Sequence, residues 1–503
     1  MNSRFLAVIL LLSPVAHADS LPGLPAGVEA KLARISQLQK DAAKALSDRM
    51  GAGGAPFTRA EWESLLGTGK AETTLTASEI QAIQKFHRGL IRFSKAQAAK
   101  ASDIDLENLR KEPQSVQNFC RELPKGGMLH IHPWGTLHRP AVVKILEQVN
   151  PLIDLGKLKA SLYGAGQPGS FFPGELDFLT PYGQLIKYSD LKAADQRKVQ
   201  DLFFLPAGSQ DFKRFMGTFT FVSALVFANH SVDPEPFMWD AFLHDAGGLG
   251  VSYVEVTTNV RNQAPWVQGL EDWEQRLETQ HGVVIRLLAA FNRMMEPEKN
   301  RTFARQLVAL PESPILVGAN LLADETDHPM LEKGQTIFGT LLAARAKGQT
   351  DLRFAPHAGE LGDARNPRDA MIMGAERLGH GVKLGADVVS LELARRQGLG
   401  VEANLESNLR LRAVSSMSKH PFLDYLRLGL KVSLSTDDEG MFNTDIHDEC
   451  VHAVSETDIS YAELKKLSYN SLDSSFADDG TKARLKDKLD RDFARFEDHW
   501  ESE

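Results

Sequence analysis

Hydrophobic and polar positions along this chain follow two periods, and the change falls near residue 126. Before it, apolar residues recur at helical spacing. Residues 28–50 (VEAKLARISQLQKDAAKALSDRM) predict one helix, GAGGAP at 51–56 breaks it, and Thr76 to about Ala101 and Asp103 to Leu123 predict two more. Residues 19–123 therefore read as a helical extension rather than an enzyme core. From Gly126 onward short apolar runs recur, separated by amphipathic helical stretches. They lie at 126–133, 251–258, 283–291, 315–322, 352–360, 377–382, 400–407 and 431–438. Apolar runs without strict alternation suit strands buried on both faces of a parallel sheet. Eight of them alternating with helices predict an α/β fold, a (β/α)8 TIM barrel within 124–503. The gap at about 134–249 is longer than a βα connection needs and predicts an insertion. Within it, the Gly/Pro/aromatic segment 164–183 reads as a loop passing over the barrel mouth. After Asp438 the chain reads as helices, 460–476 most clearly.

Composition changes this picture little. With 503 residues, 43% apolar and 24% charged, the chain can bury a large core. Its net charge of −9 argues against a nucleic-acid partner, which would want a basic stripe. The first residues add more. Arg4, the apolar run Phe5–Leu12, and Ala16-His17-Ala18 as a small-x-small site read as a secretory signal peptide over 1–18. The expectation is an exported protein, periplasmic or extracellular, with no membrane span. Cys120 and Cys450 are the only cysteines. One precedes the first histidine motif and one follows the last, so either a bridge or two buried thiols fits. Two cysteines without CxxC exclude a thiolate zinc site and the deaminase design that needs PCxxC.

The chemistry lies at the C-terminal ends of the runs, where such barrels place their sites. His130 and His132 form HIH, and alternate residues on a strand share a face, so both can reach one ion. His357 ends the fifth run and Asp437 the eighth. Three imidazoles and a carboxylate suit Zn2+, one per chain, although other divalent ions accept the same donors. Glu360, three residues after His357, is either a buried proton donor or an acidic residue at a helix start. His380 stands between Gly379 and Gly381, as a close-approaching imidazole or a turn histidine. Asp437 and Asp438 face opposite ways on an ideal strand, so the second must turn inward at the strand end to join the site. Each motif alone is unremarkable, whereas their order at eight-strand spacing favours a metal-dependent hydrolase.

The residues PKGGMLHIH, VEV (254–256), LLADET (321–326), HAGE, RLGHG, SN (407–408), HP (420–421) and STDD resemble, in this order, the adenosine/AMP deaminase family of metal-dependent amidohydrolases. The likeness covers about 124–480. The signal peptide and helical extension resemble its secreted growth-factor-like branch. The resemblance implies zinc held by His130, His132, His357 and Asp437. It implies Glu360 as proton donor to purine N1, His380 as base or water-orienting group, and Asp438 as partner of water and purine N7. The backbone at Ala323 would meet the N3 edge. The sequence departs from the family at four places. Trp134 stands where an Asp usually contacts ribose, and could instead stack on a base. Ala323 replaces a Gly, which requires a negative φ to be tolerated. EANLESN replaces a segment that often carries Cys-Pro, and Glu439 replaces a common Pro. The expected activity is hydrolytic deamination of adenosine or 2′-deoxyadenosine to the corresponding inosine and ammonia. Adenine or another modified 6-aminopurine nucleoside is the alternative substrate. An inactive binding protein on the same barrel is a reading of a different class, disfavoured by the complete set of site residues. The extension is expected to cap the barrel or mediate a homodimer.

Overall fold

A computed structural model describes residues 23–101, 104–154, 159–161, 185–206, 208–210, 212, 214–219, 235–260 and 264–500. The expected signal segment 1–18 and the loop 164–183 lie outside the described residues. All eight apolar runs form strands: β1 (Gly126–Ile131), β2 (Val251–Thr258), β3 (Val284–Asn292), β4 (Leu316–Leu322), β5 (Arg353–Phe354), β6 (Arg377–Gly379), β7 (Gly400–Ala403) and β8 (Lys431–Leu434). Neighbours pair in parallel, β1 to β5 in one sheet and β6 to β8 in another. Two bridges close the ring, His357 to Gly379 between β5 and β6, and Ile131 to Asp437 between β8 and β1. Both bridges contain metal-motif residues, so closing the barrel also assembles the site. The later strands are shorter than their apolar runs, because the last residues of each run leave the ladder to turn into the mouth. HAGE is an example, lying wholly beyond β5.

The barrel interior carries a chain of charges. Arg377 on β6 pairs with Glu255 on β2 and, at 2.6 Å, with Glu402 on β7; all three are fully buried or nearly so. The Tyr253 hydroxyl and the Phe476 amide donate to the remaining Glu255 oxygen, and the Ser474 carbonyl accepts from Arg377. Such a chain survives burial because nearly every polar atom is partnered.

The extension lies along the barrel's outer helices and shares one apolar core with them. Val28, Leu32, Ala42, Leu46 and Met50 form the buried stripe of helix Ala26–Gly51, which packs on helix Met330–Arg345. Helix Ala77–Ala98 starts in a Thr76/Glu79 capping box. Polar clamps fix the register between the two parts. Trp62 and Arg59 both donate to the buried Asp369, and His87 meets Glu392 at 2.8 Å. The single helix expected over Asp103–Leu123 is instead two, Leu106–Leu109 and Pro113–Glu122. Pro113 is the reason: it cannot donate to the preceding turn but suits the first position of a new helix. Among the described residues no helix is long and apolar enough to cross a membrane.

The insertion supplies helices Arg139–Val149, Ala193–Asp201 and Glu235–Gly248. It also supplies a small antiparallel sheet with Leu152–Asp154 between Lys159–Ser161 and Leu185–Lys187. A second apolar cluster seats it on the mouth through Trp134, Ile145, Leu146, Phe203, Phe215, Met441 and Phe442.

Of the two arrangements open to the cysteines, the structure has the bridge. Cys120 and Cys450 are bonded, their Cα atoms 5.7 Å apart across 330 residues of sequence. The bond ties the helix before β1 to the helix Ile446–Glu456 after β8. Closing so long a loop restricts the unfolded chain, so Cys450→Ser, or reduction, is expected to cost roughly 2–5 kcal/mol. Urea unfolding with and without reductant measures it, and superimposable curves would remove the bond from the folded protein in solution.

Candidate metal centre

Three imidazole nitrogens and one carboxylate oxygen converge at the mouth. His130 Nε2 lies 3.1 Å from His357 Nε2 and 3.4 Å from Asp437 Oδ1; His132 Nε2 lies 3.3 Å and 3.2 Å from the same two atoms. Donors about 2.0–2.1 Å from a tetrahedral zinc would stand about 3.3 Å apart. The hydrogen positions make the same point. Glu402 Oε2 accepts from His130 Nδ1 at 2.7 Å, and Asn320 Oδ1 accepts from His357 Nδ1 at 3.0 Å. With those hydrogens on Nδ1, both Nε2 atoms turn lone pairs toward each other, an arrangement that suits a cation between them. These residues fit a divalent metal.

Local backbone explains how sequence-adjacent residues reach one point. Asp437 has φ 62°, a left-handed turn directly after β8, and this brings Asp438 to the same side. The opposite-facing expectation for an ideal strand thus gives way through one strained residue. Its backbone still bonds to β1, Asp437 N to His130 O and His132 N to Asp437 O. Gly135, in the turn after His132, is held small by this approach: a Cβ there would sit 1.8 Å from Asp438 Oδ1. Gly379 is constrained likewise, its missing Cβ lying against the His130 ring. His380, the next residue, has φ 62°.

Around the cluster stand the other expected residues. Glu360 Oε2 is 3.8 Å from His380 Nε2, which is 3.9 Å from Asp437 Oδ2. Burial, then the charges of Asp437 and Glu325, push the Glu360 carboxyl well above the ordinary range, which favours its protonated form. Asp438 rises for the same reason, burial first and then Asp437. Burial also works against ionising Asp437, but the imidazoles of His130, His132 and His380 around it outweigh that and keep its carboxyl well below its usual value. Burial drives His357 well below the usual imidazole range, as a neutral ligand requires. Asp438 Oδ1 and His380 Nε2 are buried and find no partner among the described protein groups. Both belong to residues expected to meet water or substrate.

One sequence expectation changes. Ala323 has φ 82°, not the negative φ required of it. A left-handed alanine costs about 1–2 kcal/mol, so Ala323→Gly is expected to raise stability by about 1 kcal/mol after the glycine entropy cost. Thermal unfolding measures this, and an unchanged or lower Tm would count against a left-handed Ala323. Trp134 is buried in the second apolar cluster, among side chains of the insertion and of Met441 and Phe442. Glu439, another of the departures, accepts from Thr436 Oγ1 at 2.8 Å and faces His138 at 3.4 Å.

Several functional residues were missed in the sequence. Glu402 and Asn320 orient two ligands, and Arg293 donates to the carbonyls of His357 and Leu321. Glu325, inside LLADET, accepts from the Gly359 and Glu360 amides and pins the HAGE turn. The available signal was a polar residue inside an apolar run, Asn320 in ILVGANLL and Glu402 in GVEANLES. Ser407 donates to Asp437 Oδ2 at 2.8 Å, giving the SN pair its place.

The family model described as "Adenosine deaminase" matches residues 173–492, well over half of the chain. The chain belongs to the adenosine deaminase family. The match begins after β1, so His130 and His132 join this family's site by geometry rather than by that alignment. Among similar proteins, an adenine deaminase of Rhodospirillum rubrum is 30% identical over 225 residues, which is 44% of this chain and 64% of that one. An adenosine deaminase of Serratia proteamaculans is 27% identical over 256 residues, 49% of this chain and 74% of that one. A solved amidohydrolase from Burkholderia ambifaria, with bound Zn, superposes with a TM-score of 0.57 at 18% identity, covering 77% of this chain and 95% of the other. At that identity the likeness concerns the fold.

Proposed function

We propose that this chain is a hydrolytic deaminase of 6-aminopurines that acts on adenosine or 2′-deoxyadenosine with one zinc per chain. The observation that carries the reading is the convergence of His130, His132, His357 and Asp437 with the buried Glu360 carboxyl beside them. In the reaction water adds its oxygen to C6, the C6–N bond breaks, and ammonia leaves. Held by His130, His132, His357 and Asp437, a divalent cation would supply the Lewis acidity that makes water a nucleophile near neutral pH. Glu360 donates its proton to the purine N1, which draws electron density from C6. Asp438 orients the ring through N7, and the Ala323 backbone meets the N3 edge. Zinc as the ion is supported by the donor set and its spacing.

Adenine or a modified 6-aminopurine nucleoside is the second reading. It is favoured by Trp134, which stands at the mouth where family members usually have the ribose-contacting Asp. Similarity to proteins named adenine deaminase and adenosine deaminase alike leaves both substrates in play. The export expected from residues 1–18 is supported by the Cys120–Cys450 bond, which persists in oxidising compartments.

The decisive experiment follows ultraviolet absorbance of adenosine, 2′-deoxyadenosine and adenine with purified protein, zinc being quantified in the same sample. Rapid conversion of the nucleosides with about one zinc per chain is expected. Preference for free adenine would replace the nucleoside reading by the second one. No conversion of any 6-aminopurine at full zinc occupancy would overturn the deaminase reading.

A further inference from the structure

The hydrogen bonds behind His380 form a directional relay that starts at a backbone amide. The Phe422 amide donates to His420 Nδ1 at 3.2 Å, so that nitrogen carries no hydrogen. Burial holds His420 down at about 3, leaving it neutral with its hydrogen on Nε2. His420 Nε2 then donates to Asn408 Oδ1 at 2.9 Å. An amide whose oxygen is engaged on that side presents its NH2 on the other, and Asn408 Nδ2 lies 2.8 Å from His380 Nδ1. Asn404 Nδ2 approaches the same nitrogen at 3.2 Å. His380 Nδ1 is thus an acceptor, and its hydrogen sits on Nε2. That atom is the buried one with no partner among the described groups, facing Glu360 Oε2 and Asp437 Oδ2 just beyond hydrogen-bonding distance.

We propose that Asn408 and His420 are positioning residues that lock His380 as its Nε2–H tautomer, so that His380 donates a hydrogen bond into the site and accepts no proton there. This rests on the deaminase reading for its purpose but not for its test. Of the two roles implied for His380, base or water-orienting group, the relay selects the second: an imidazole with Nε2 already protonated orients an oxygen lone pair and cannot take up the proton of water at that atom. The backbone amide at Phe422 anchors the relay because, unlike a side chain, it cannot reverse its donor role. Helix Leu405–Arg410 places Asn408 correctly, its first amides being held by the buried Glu449.

The test is the 15N spectrum of histidine-labelled full-length mature protein carrying zinc, with the His380 signals identified by their loss in a His380→Gln variant. In the unmodified protein Nε2 is expected to be pyrrole-like and Nδ1 pyridine-like. Asn408→Asp, whose carboxylate can only accept, is expected to transfer the hydrogen to Nδ1, to keep about one zinc per chain, and to lower turnover about 10–100-fold. His420→Gln, which still offers an N–H to Asn408 Oδ1, is expected to preserve the Nε2–H tautomer. A bare Nε2 in the unmodified protein, or a His380 tautomer unmoved by Asn408→Asp, would overturn the proposal. If Asn408→Asp fails to fold, the spectra of the unmodified protein and of His420→Gln still decide it. None of these spectra requires a purine, so an inactive protein with the expected tautomer would overturn the deaminase reading alone.

Discussion

Glu360→Gln is expected to retain its metal and lose turnover by about 10²–10⁴-fold, the usual range for removing a positioned general acid. The side chain is isosteric, and Glu360 is not among the four atoms that form the ligand cluster, so zinc content and Tm should barely move. The loss should fall on kcat rather than on KM, because the carboxyl's proton matters most as N1 gains basicity on the way to the transition state. Two features make the effect large. Burial and the neighbouring Asp437 and Glu325 favour the protonated acid, and the HAGE turn that holds it is pinned by Glu325 through the Gly359 and Glu360 amides. Steady-state kinetics with metal analysis on the same sample checks this. Full activity with full zinc would transfer the proton donation to another group.

His357→Ala is expected to lose the metal. His357 Nε2 neighbours the nitrogens of both other ligand histidines, so its removal opens the cluster at its centre. A graded series makes the argument sharper. Asn320→Ala leaves all four ligands but frees the His357 ring, and outer partners of this kind are worth about 10–100-fold in metal affinity. His357→Ala should weaken binding well beyond that range. Competition against a chelator of known affinity, with circular dichroism to verify the fold, measures both. Equal affinities for the two variants, or stoichiometric zinc in His357→Ala, would break the ligand assignment.

The sequence carried the barrel and the residues that meet at its mouth because both are local patterns. Eight apolar runs became eight strands, and the donor types at their ends, His130, His132, His357 and Asp437, are those that meet. Run length misled where a run outlasts its strand, as at 352–360, because apolarity reports burial and not pairing. Asp103–Leu123 was misread because helical spacing continued through Pro113, whose missing amide hydrogen divides the helix.

What the sequence by itself determined, then, is which residue types stand at the end of each strand, since strand period and chemistry are both written in neighbouring positions. Tertiary structure alone decided which partners those residues have. Glu402 reaches His130 across 272 positions, and Asp369 receives Trp62 across 307. The cysteines close over 330, and the tautomer of His380 depends on an amide at Phe422. It also decided that Ala323, His380 and Asp437 adopt left-handed backbone, with φ of 82°, 62° and 62°. Local preference opposes that conformation in every one of them, and only the packing of a closed barrel around the site supplies the free energy to hold it.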